Sequence, residues 1–307
     1  MNVSPGVTHR PSRRVQIRDG LSLRVIDHPA TGTPKIRAAD GANGANPPPT
    51  IVMLHGLSSN AHMWNGVGDA LAAHGYRGIA VDQRGHGLSD KPDGPYDMAA
   101  VTDDLAALLA AESIDRPVLV GQSWGANVVM EFAARFPGCA AGVVPVDGGF
   151  IDLANTFPNW ADCERVMAPP RLAGTPASKL RGWMRSSHPD WSEASIDSMM
   201  AFVEVNDEGL ASPWLTYENH IKVLRGLWEH RPLDRYRSVS DPVWWIVAEP
   251  PAQADGWVAQ KRPALETVER LLPGSRTTWM VGDHDLHAQY PDRVAAIVVE
   301  AIESGFF

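Results

Sequence analysis

The feature that most constrains this chain is an alternation. Short apolar runs stand at Thr50-Ile51-Val52-Met53-Leu54, Gly78-Ile79-Ala80-Val81, Pro117-Val118-Leu119-Val120 and Gly142-Val143-Val144-Pro145-Val146. Runs of this length without polar interruption predict strands buried on both faces. Helical patterns fill the gaps, at about 61–74, 98–112 and 124–136. A strand, a helix and another strand in succession require a crossover, so the pattern predicts a parallel sheet with right-handed connections. The alternation stops after residue 150. It resumes with Val243-Trp244-Trp245-Ile246-Val247, a helix near 256–271, Thr277-Thr278-Trp279-Met280-Val281, and a last helix from Pro291 to about Ser304.

The stretch between, 151–240, shows helical patterns near 154–167, 175–187, 193–205 and 216–229 and no strand character. The expected fold class is therefore α/β: a mostly parallel central sheet flanked by helices, built from 13–150 and 241–307, with 151–240 inserted as a helical cap. Alternating residues at 15–18 and 21–25, around Asp19-Gly20, predict an N-terminal hairpin. Residues 1–12 read as a loose tail, and the Gly-, Ala- and Pro-rich stretch 29–49 as a surface loop.

Composition narrows the function classes. Hydrophobic residues at 44% and charged residues at 21% are ordinary globular values. Lys+Arg 27 against Asp+Glu 36, a formal charge of −9, argues against nucleic acid or an anionic membrane surface as partner. No apolar run reaches the ~18–20 residues of a membrane span, and the first residues lack the apolar core of a signal peptide; a cytoplasmic location is expected. Cys139 and Cys163 cannot form a disulfide framework. No G-x-x-x-x-G-K loop occurs, so no nucleotide cofactor is expected. Asp283-His284-Asp285-Leu286-His287 is better read as a catalytic His and a turn than as a metal site.

Chemistry concentrates at Gly121-Gln122-Ser123-Trp124-Gly125. This G-x-S-x-G pattern follows a buried strand and opens a helix, the context in which a nucleophilic Ser stands exposed on a sharp turn. A Ser hydroxyl needs a base. His284 lies just past the last expected strand, which puts it at the same sheet edge as Ser123, where groups of open α/β sheets gather. His287 is its local competitor.

With these residues in view, the chain resembles the α/β-hydrolase superfamily over roughly 15–307. The resemblance rests on the elbow, on His55-Gly56 followed by Trp64, and on Asp82-Gln83-Arg84-Gly85-His86-Gly87-Leu88-Ser89-Asp90, which is similar to the family's D-x-R-G-x-G-x-S segment. It implies an oxyanion hole made by the backbone N–H groups of Trp124 and Leu57, and it implies that His86 is structural. The usual acid, a few residues past the seventh strand, is missing, because that segment reads Ala248-Glu249-Pro250-Pro251. Some members, including haloalkane dehalogenases and zearalenone-type lactone hydrolases, place their acid after the sixth strand, where this chain has Asp147. Asp147 is the expected acid, with Glu249 and Asp255 as alternatives.

Tryptophan is unusually abundant, 11 against 7 Phe and 5 Tyr. Trp160, Trp183, Trp191, Trp214 and Trp228 fall in the insertion, and Trp124 adjoins the nucleophile. With Phe150 and Phe157 at the crossing from core to insertion, they predict a water-excluded, aromatic-lined pocket. The expected activity is hydrolysis of a small to medium apolar ester or lactone through Ser123, His284 and Asp147. A C–C bond hydrolase, an amide hydrolase such as a proline iminopeptidase, and a slow-turnover receptor are the rivals. Haloalkane dehalogenase and epoxide hydrolase chemistry would need a carboxylate where Ser123 stands.

Overall fold

Each of the apolar runs forms a strand in the computed structural model, which describes residues 11–35, 47–150, 152–249 and 259–307. In chain order β1 (Ser12–Arg18), β2 (Leu21–His28), β3 (Ile51–Leu54), β4 (Gly78–Asp82), β5 (Val118–Gln122) and β6 (Gly142–Val146) precede the insertion. Within it lie β7 (Thr175–Pro176), β8 (Val203–Val205) and β9 (Leu210–Pro213); β10 (Trp244–Ala248) and β11 (Arg276–Met280) follow it. Eight strands make one sheet in the order β1-β2-β4-β3-β5-β6-β10-β11. It is parallel from β4 to β11, while β2 pairs antiparallel with both β1 and β4. The hairpin turns at Gly20, whose φ of 71° suits a residue without a side chain.

Strands β3, β4, β5, β6 and β10 are buried on both faces because helices cover both. Along β3 the side chains alternate: Val52 and Leu54 join one apolar cluster, Ile51 and Met53 the other. The first cluster is completed by α2 (Met98–Ala111), α3 (Trp124–Arg135) and the helix Lys261–Leu271, through residues such as Leu105, Val128 and Leu265. The second is completed by α1 (Asn65–Ala73) and the helix Pro291–Glu303, through Leu71, Val294 and Val298. Each such side chain taken from water contributes about 1.5–3 kcal/mol.

Strands β6 and β10 are parallel neighbours, paired at Val146 and Ile246, so the chain leaves the carboxyl end of β6 into the insertion and returns to the opposite edge of the sheet to start β10. Its helices span Leu153–Thr156, Trp160–Met167, Ala177–Ser187, Glu193–Met200 and Tyr217–Glu229. It is not all helical, contrary to the sequence reading: β7, β9 and β8 form a three-stranded antiparallel sheet. The helix expected over 193–205 ends at Met200, and its remainder enters β8. Asn206 forces the turn into β9 by accepting from the backbone N–H groups of Glu208 (3.1 Å) and Leu210 (2.8 Å). The expected tail falls almost wholly outside the described residues, as does the middle of the 29–49 loop. No helix among the described residues is long and apolar enough to cross a membrane.

Candidate active site

Ser123 joins β5 to α3 with φ 52° and ψ −116°, a strained conformation for a residue with a side chain. Close approach of three glycines makes the turn possible. A Cβ on Gly121 would lie 2.2 Å from the Gly125 carbonyl oxygen, and one on Gly125 2.4 Å from that of Leu54. One on Gly148 would lie 2.4 Å from the oxygen of Ser123 itself. The Ser123 N–H donates to the Val146 carbonyl at 3.0 Å, tying the elbow to the end of β6. Trp124 opens α3, so its N–H has no acceptor within the helix.

The next residue after β6 is Asp147, also in a left-handed conformation (φ 44°). Its side chain is fully enclosed, and Oδ2 accepts from Nδ1 of His284 at 2.7 Å. Oδ1 accepts from the backbone N–H of Ala248 at 3.0 Å. Lys261 Nζ donates to both oxygens, at 2.8 and 2.7 Å. Burial pushes the Asp147 carboxyl up, but the hydrogen bond and charge of His284, joined by those of Lys261, outweigh it and hold the group below the usual carboxylate range. An ionised carboxylate only accepts, so the His284 proton facing it sits on Nδ1 and the basic nitrogen is Nε2.

His284 lies in the loop after β11, its side chain 41% exposed. Burial of its inner part pushes the imidazole down, while the hydrogen bond and charge of Asp147, with a further contribution from Asp285, raise it above its ordinary value. Its carbonyl accepts from Gln122 Nε2 at 3.2 Å, which fastens the loop beside the nucleophile. The structure thus gathers Ser123, Asp147 and His284 at the carboxyl ends of β5, β6 and β11. His287 does not join them. It is buried against the Trp64 ring at 4.4 Å and pushed down to about 3 by burial and by the charges of His284 and His55.

The loop after β3 closes the other side. A Cβ on Gly56 would lie 3.1 Å from that of Ser123, so the peptide leading to Leu57 abuts the nucleophile. His55 donates from Nδ1 to the Gly56 carbonyl (2.7 Å) and accepts at Nε2 from the Gln83 N–H (3.2 Å). Ser58, at φ 61°, donates its N–H to Nε2 of His86 at 3.3 Å. His86 in turn bonds the Arg84 carbonyl at 3.0 Å and stacks on Trp124 at 5.2 Å. Burial holds both His55 and His86 below their ordinary values, hence neutral.

The alternative acids behave differently. Glu249 pairs with Arg262, and its N–H donates to Met280 at 2.8 Å; its carboxylate is turned away from His284. Asp255 lies outside the described residues.

The aromatic residues do not share one pocket. Trp124 is enclosed beneath His86, and Phe150 belongs to the core, edge-on to Trp245 at 6.1 Å. Trp160 and Trp228 pack on each other at 5.9 Å beneath Arg225, and Trp228 Nε1 donates to the Phe157 carbonyl at 2.8 Å. Trp183 is 49% exposed, and Trp214 lies near Lys91 at 5.3 Å. Trp191 is buried where insertion meets core, and its Nε1 donates to Asp283 at 2.8 Å. The rings expected to form an aromatic wall are instead dispersed among the core, the insertion and the surface. A cavity of about 420 Å³ instead opens beside the β3 loop, bounded by Ser58, Leu172, Phe202, Leu215, Tyr217 and His220. His220, pushed down to about 4 by burial, shares a 2.7 Å hydrogen bond with the Ser58 hydroxyl.

Sequence reasoning missed Lys261, Asp283 and His220. Lys261 meets Asp147 across 114 positions of chain, a proximity created by folding that no local pattern signals. Asp283 and His220 lay beside or within segments already singled out, and a reading that sought buried partners for each polar residue could have raised them. Among the described residues no group of three or more His, Cys, Asp or Glu side chains is placed to hold a metal ion.

Comparison with known proteins agrees with the fold. Residues 49–240, more than half of the chain, match the family model described as alpha/beta hydrolase fold. An uncharacterized protein of Mycobacterium bovis is 40% identical over 101 residues, which cover 33% of this chain and 29% of that protein. The chain thus spans less than a third of that relative's length. Epoxide hydrolase A of Mycobacterium tuberculosis is 27% identical over 68% of this chain and 67% of its own. The crystal structure of E-2-(acetamidomethylene)succinate hydrolase superposes with a TM-score of 0.76 at 25% identity, covering 96% of this chain and all of that one.

Proposed function

This chain belongs to the α/β-hydrolase fold family, and from that premise we propose that it is a serine hydrolase acting on a carboxylic ester or lactone through Ser123, His284 and Asp147. The observation that carries the reading is the 2.7 Å bond from His284 Nδ1 to Asp147, which fixes the imidazole tautomer and leaves Nε2 for proton transfer. His284 Nε2 takes the hydroxyl proton as Ser123 Oγ bonds to the substrate carbonyl carbon. Negative charge collects on the carbonyl oxygen, facing the N–H groups of Trp124 and Leu57. Each such donor lowers the barrier by about 3 kcal/mol. Collapse of the tetrahedral intermediate breaks the C–O bond, and the imidazolium returns its proton to the departing alkoxide; in a lactone that alcohol stays on the acyl chain. Water, deprotonated by His284, then attacks the acyl-serine ester, releasing the acid and restoring Ser123.

The family contains epoxide hydrolases, but that chemistry needs a carboxylate nucleophile, and this chain carries Ser123 at the elbow. Hydrolysis of an acylamide is the second reading, favoured by the likeness to a hydrolase of an acetamido compound. The cavity beside Ser58 lies within the roughly 300–1,000 Å³ of small-molecule sites, and Leu172, Phe202 and Leu215 suit an apolar substituent there, beneath the insertion as a lid. The test is labelling by a fluorophosphonate probe, followed by a panel of aryl esters, lactones and arylamides. Labelling that vanishes in Ser123→Ala, with turnover of esters or lactones, is expected. Labelling that survives Ser123→Ala would sink the reading.

A further inference from the structure

Resting on the proposed triad, we infer that Lys261 is a positioning residue for proton transfer: by hydrogen-bonding both carboxylate oxygens of Asp147 it fixes the acid and moderates the negative charge presented to His284.

Lysine is almost never fully buried without a partner, and sinking an ammonium group costs several kcal/mol before any pairing offsets it. Lys261 is nevertheless 4% exposed, at the first turn of a helix whose packing is supplied by Leu265 and Val268. Those apolar residues dock the helix without help from an inward-pointing ammonium. The carboxylate also has other partners, the Ala248 N–H on Oδ1 and His284 on Oδ2. What Lys261 adds is a bridge across both oxygens at 2.8 and 2.7 Å, which leaves the carboxylate no rotation about its last bond. It also adds a positive charge to the carboxylate that holds the imidazole, since Lys261 and His284 meet on Oδ2.

The charges around His284 come from several elements. Asp147 stands at the end of β6 and Lys261 on its helix. Asp285 follows in the same loop. Asp283 precedes it, held by His188 and Trp191 of the insertion. Buried, neutral His287 and His55 lie beyond. Asp147 and Asp285 favour the imidazolium, and Lys261 opposes them. Without Lys261 the carboxylate would hold the imidazolium harder, and His284 would accept the Ser123 proton only at higher pH.

The experiment is the pH dependence of kcat/KM for p-nitrophenyl acetate in wild type, Lys261→Met, Asp147→Asn and the double variant, with fluorophosphonate labelling rates as a second readout. Lys261→Met is expected to move the acid limb up by about one pH unit, giving a loss of about tenfold below the limb and much less on the plateau. The double variant buries neither charge, so it remains measurable even where Lys261→Met does not fold. In the Asp147→Asn background, adding Lys261→Met is expected to move the limb by clearly less than it does in the wild-type background, since the positioning part of the effect acts through the carboxylate and only the direct charge on His284 remains. A Lys261→Met limb that coincides with wild type while thermal stability drops would show a purely structural lysine. A limb that moves as far between Asp147→Asn and the double variant as between wild type and Lys261→Met would show action independent of Asp147. Either result overturns the inference. If Ser123→Ala still labels, the triad falls and takes the inference with it; if Ser123→Ala is silent and the limb stays put, Lys261 alone is misassigned.

Discussion

At Ser123 and Asp147 the backbone carries part of the chemistry. Both residues leave adjacent parallel strands with positive φ, and Gly148 lies against the Ser123 backbone. The proposed acid and nucleophile are thereby set by one pair of strand exits. Asp147→Asn is expected to lower kcat/KM by roughly 10³–10⁴, whereas Glu249→Gln, whose carboxylate faces Arg262, stays within about twofold of wild type; ester turnover of the two variants decides between the acids. The pH profile follows from the same pair. His284 is raised above its ordinary value of 6.5, and it must be neutral to act, so the acid limb of kcat/KM is expected above pH 6.5. The stabilising effect of the pair runs the other way. The Asp147 contribution is complete above pH 3.8 and lost as pH falls further, while that of His284 is complete below 6.5 and lost as pH rises through its raised value. Activity is therefore expected to increase where the pair's contribution to stability declines. The sequence reading picks Ser123 and His284 from motif and strand end and Asp147 from the prolines in the usual acid segment, and the fold brings these three residues to one edge of the sheet. Lys261 was not legible, because nothing near it in sequence betrays a carboxylate reached only through the folded sheet.

The core elements were legible because their apolar runs recur with helical patterns between them, an alternation that only a parallel sheet with crossovers satisfies. The insertion was not. Its strands are two to four residues long, two of them contain Pro176 or Pro213, and such segments hold their shape through neighbours rather than propensity. Its tryptophans misled for a related reason, since abundance says nothing about direction. Trp191 is the one tied to the proposed site, through Asp283, the residue before His284. Trp191→Phe keeps most of the buried ring and loses this bond, so kcat is expected to fall severalfold, with stability lowered by about 1 kcal/mol. Trp183→Ala, on the exposed face, is expected to change stability by less than about 0.5 kcal/mol and leave turnover unchanged. Thermal melts and ester kinetics on both variants check the contrast.

Taken whole, the molecule folds several imidazoles in their neutral form. His86, His220 and His287 are all held down by burial, His220 to about 4 and His287 to about 3. A group depressed in the folded state binds its proton more readily when unfolded, so stability is expected to fall as pH drops below 6.5 toward those values. The loss for His220 or His287 is of the order of 2 kcal/mol between pH 6.5 and 5. Chemical denaturation at pH 7.5, 6.0 and 5.0 measures it, and a midpoint independent of pH in this range would contradict the burial of these rings.

The bonds from His188 and Trp191 to Asp283 also bear on what can be turned over quickly. The insertion is moored one residue from the base, and successive Cα atoms are about 3.8 Å apart. A guest that lifts the insertion by much more than this either breaks the mooring or drags His284 off Asp147. Oversized molecules would thus be turned over slowly, and the bonds they break would be taken from their affinity as well.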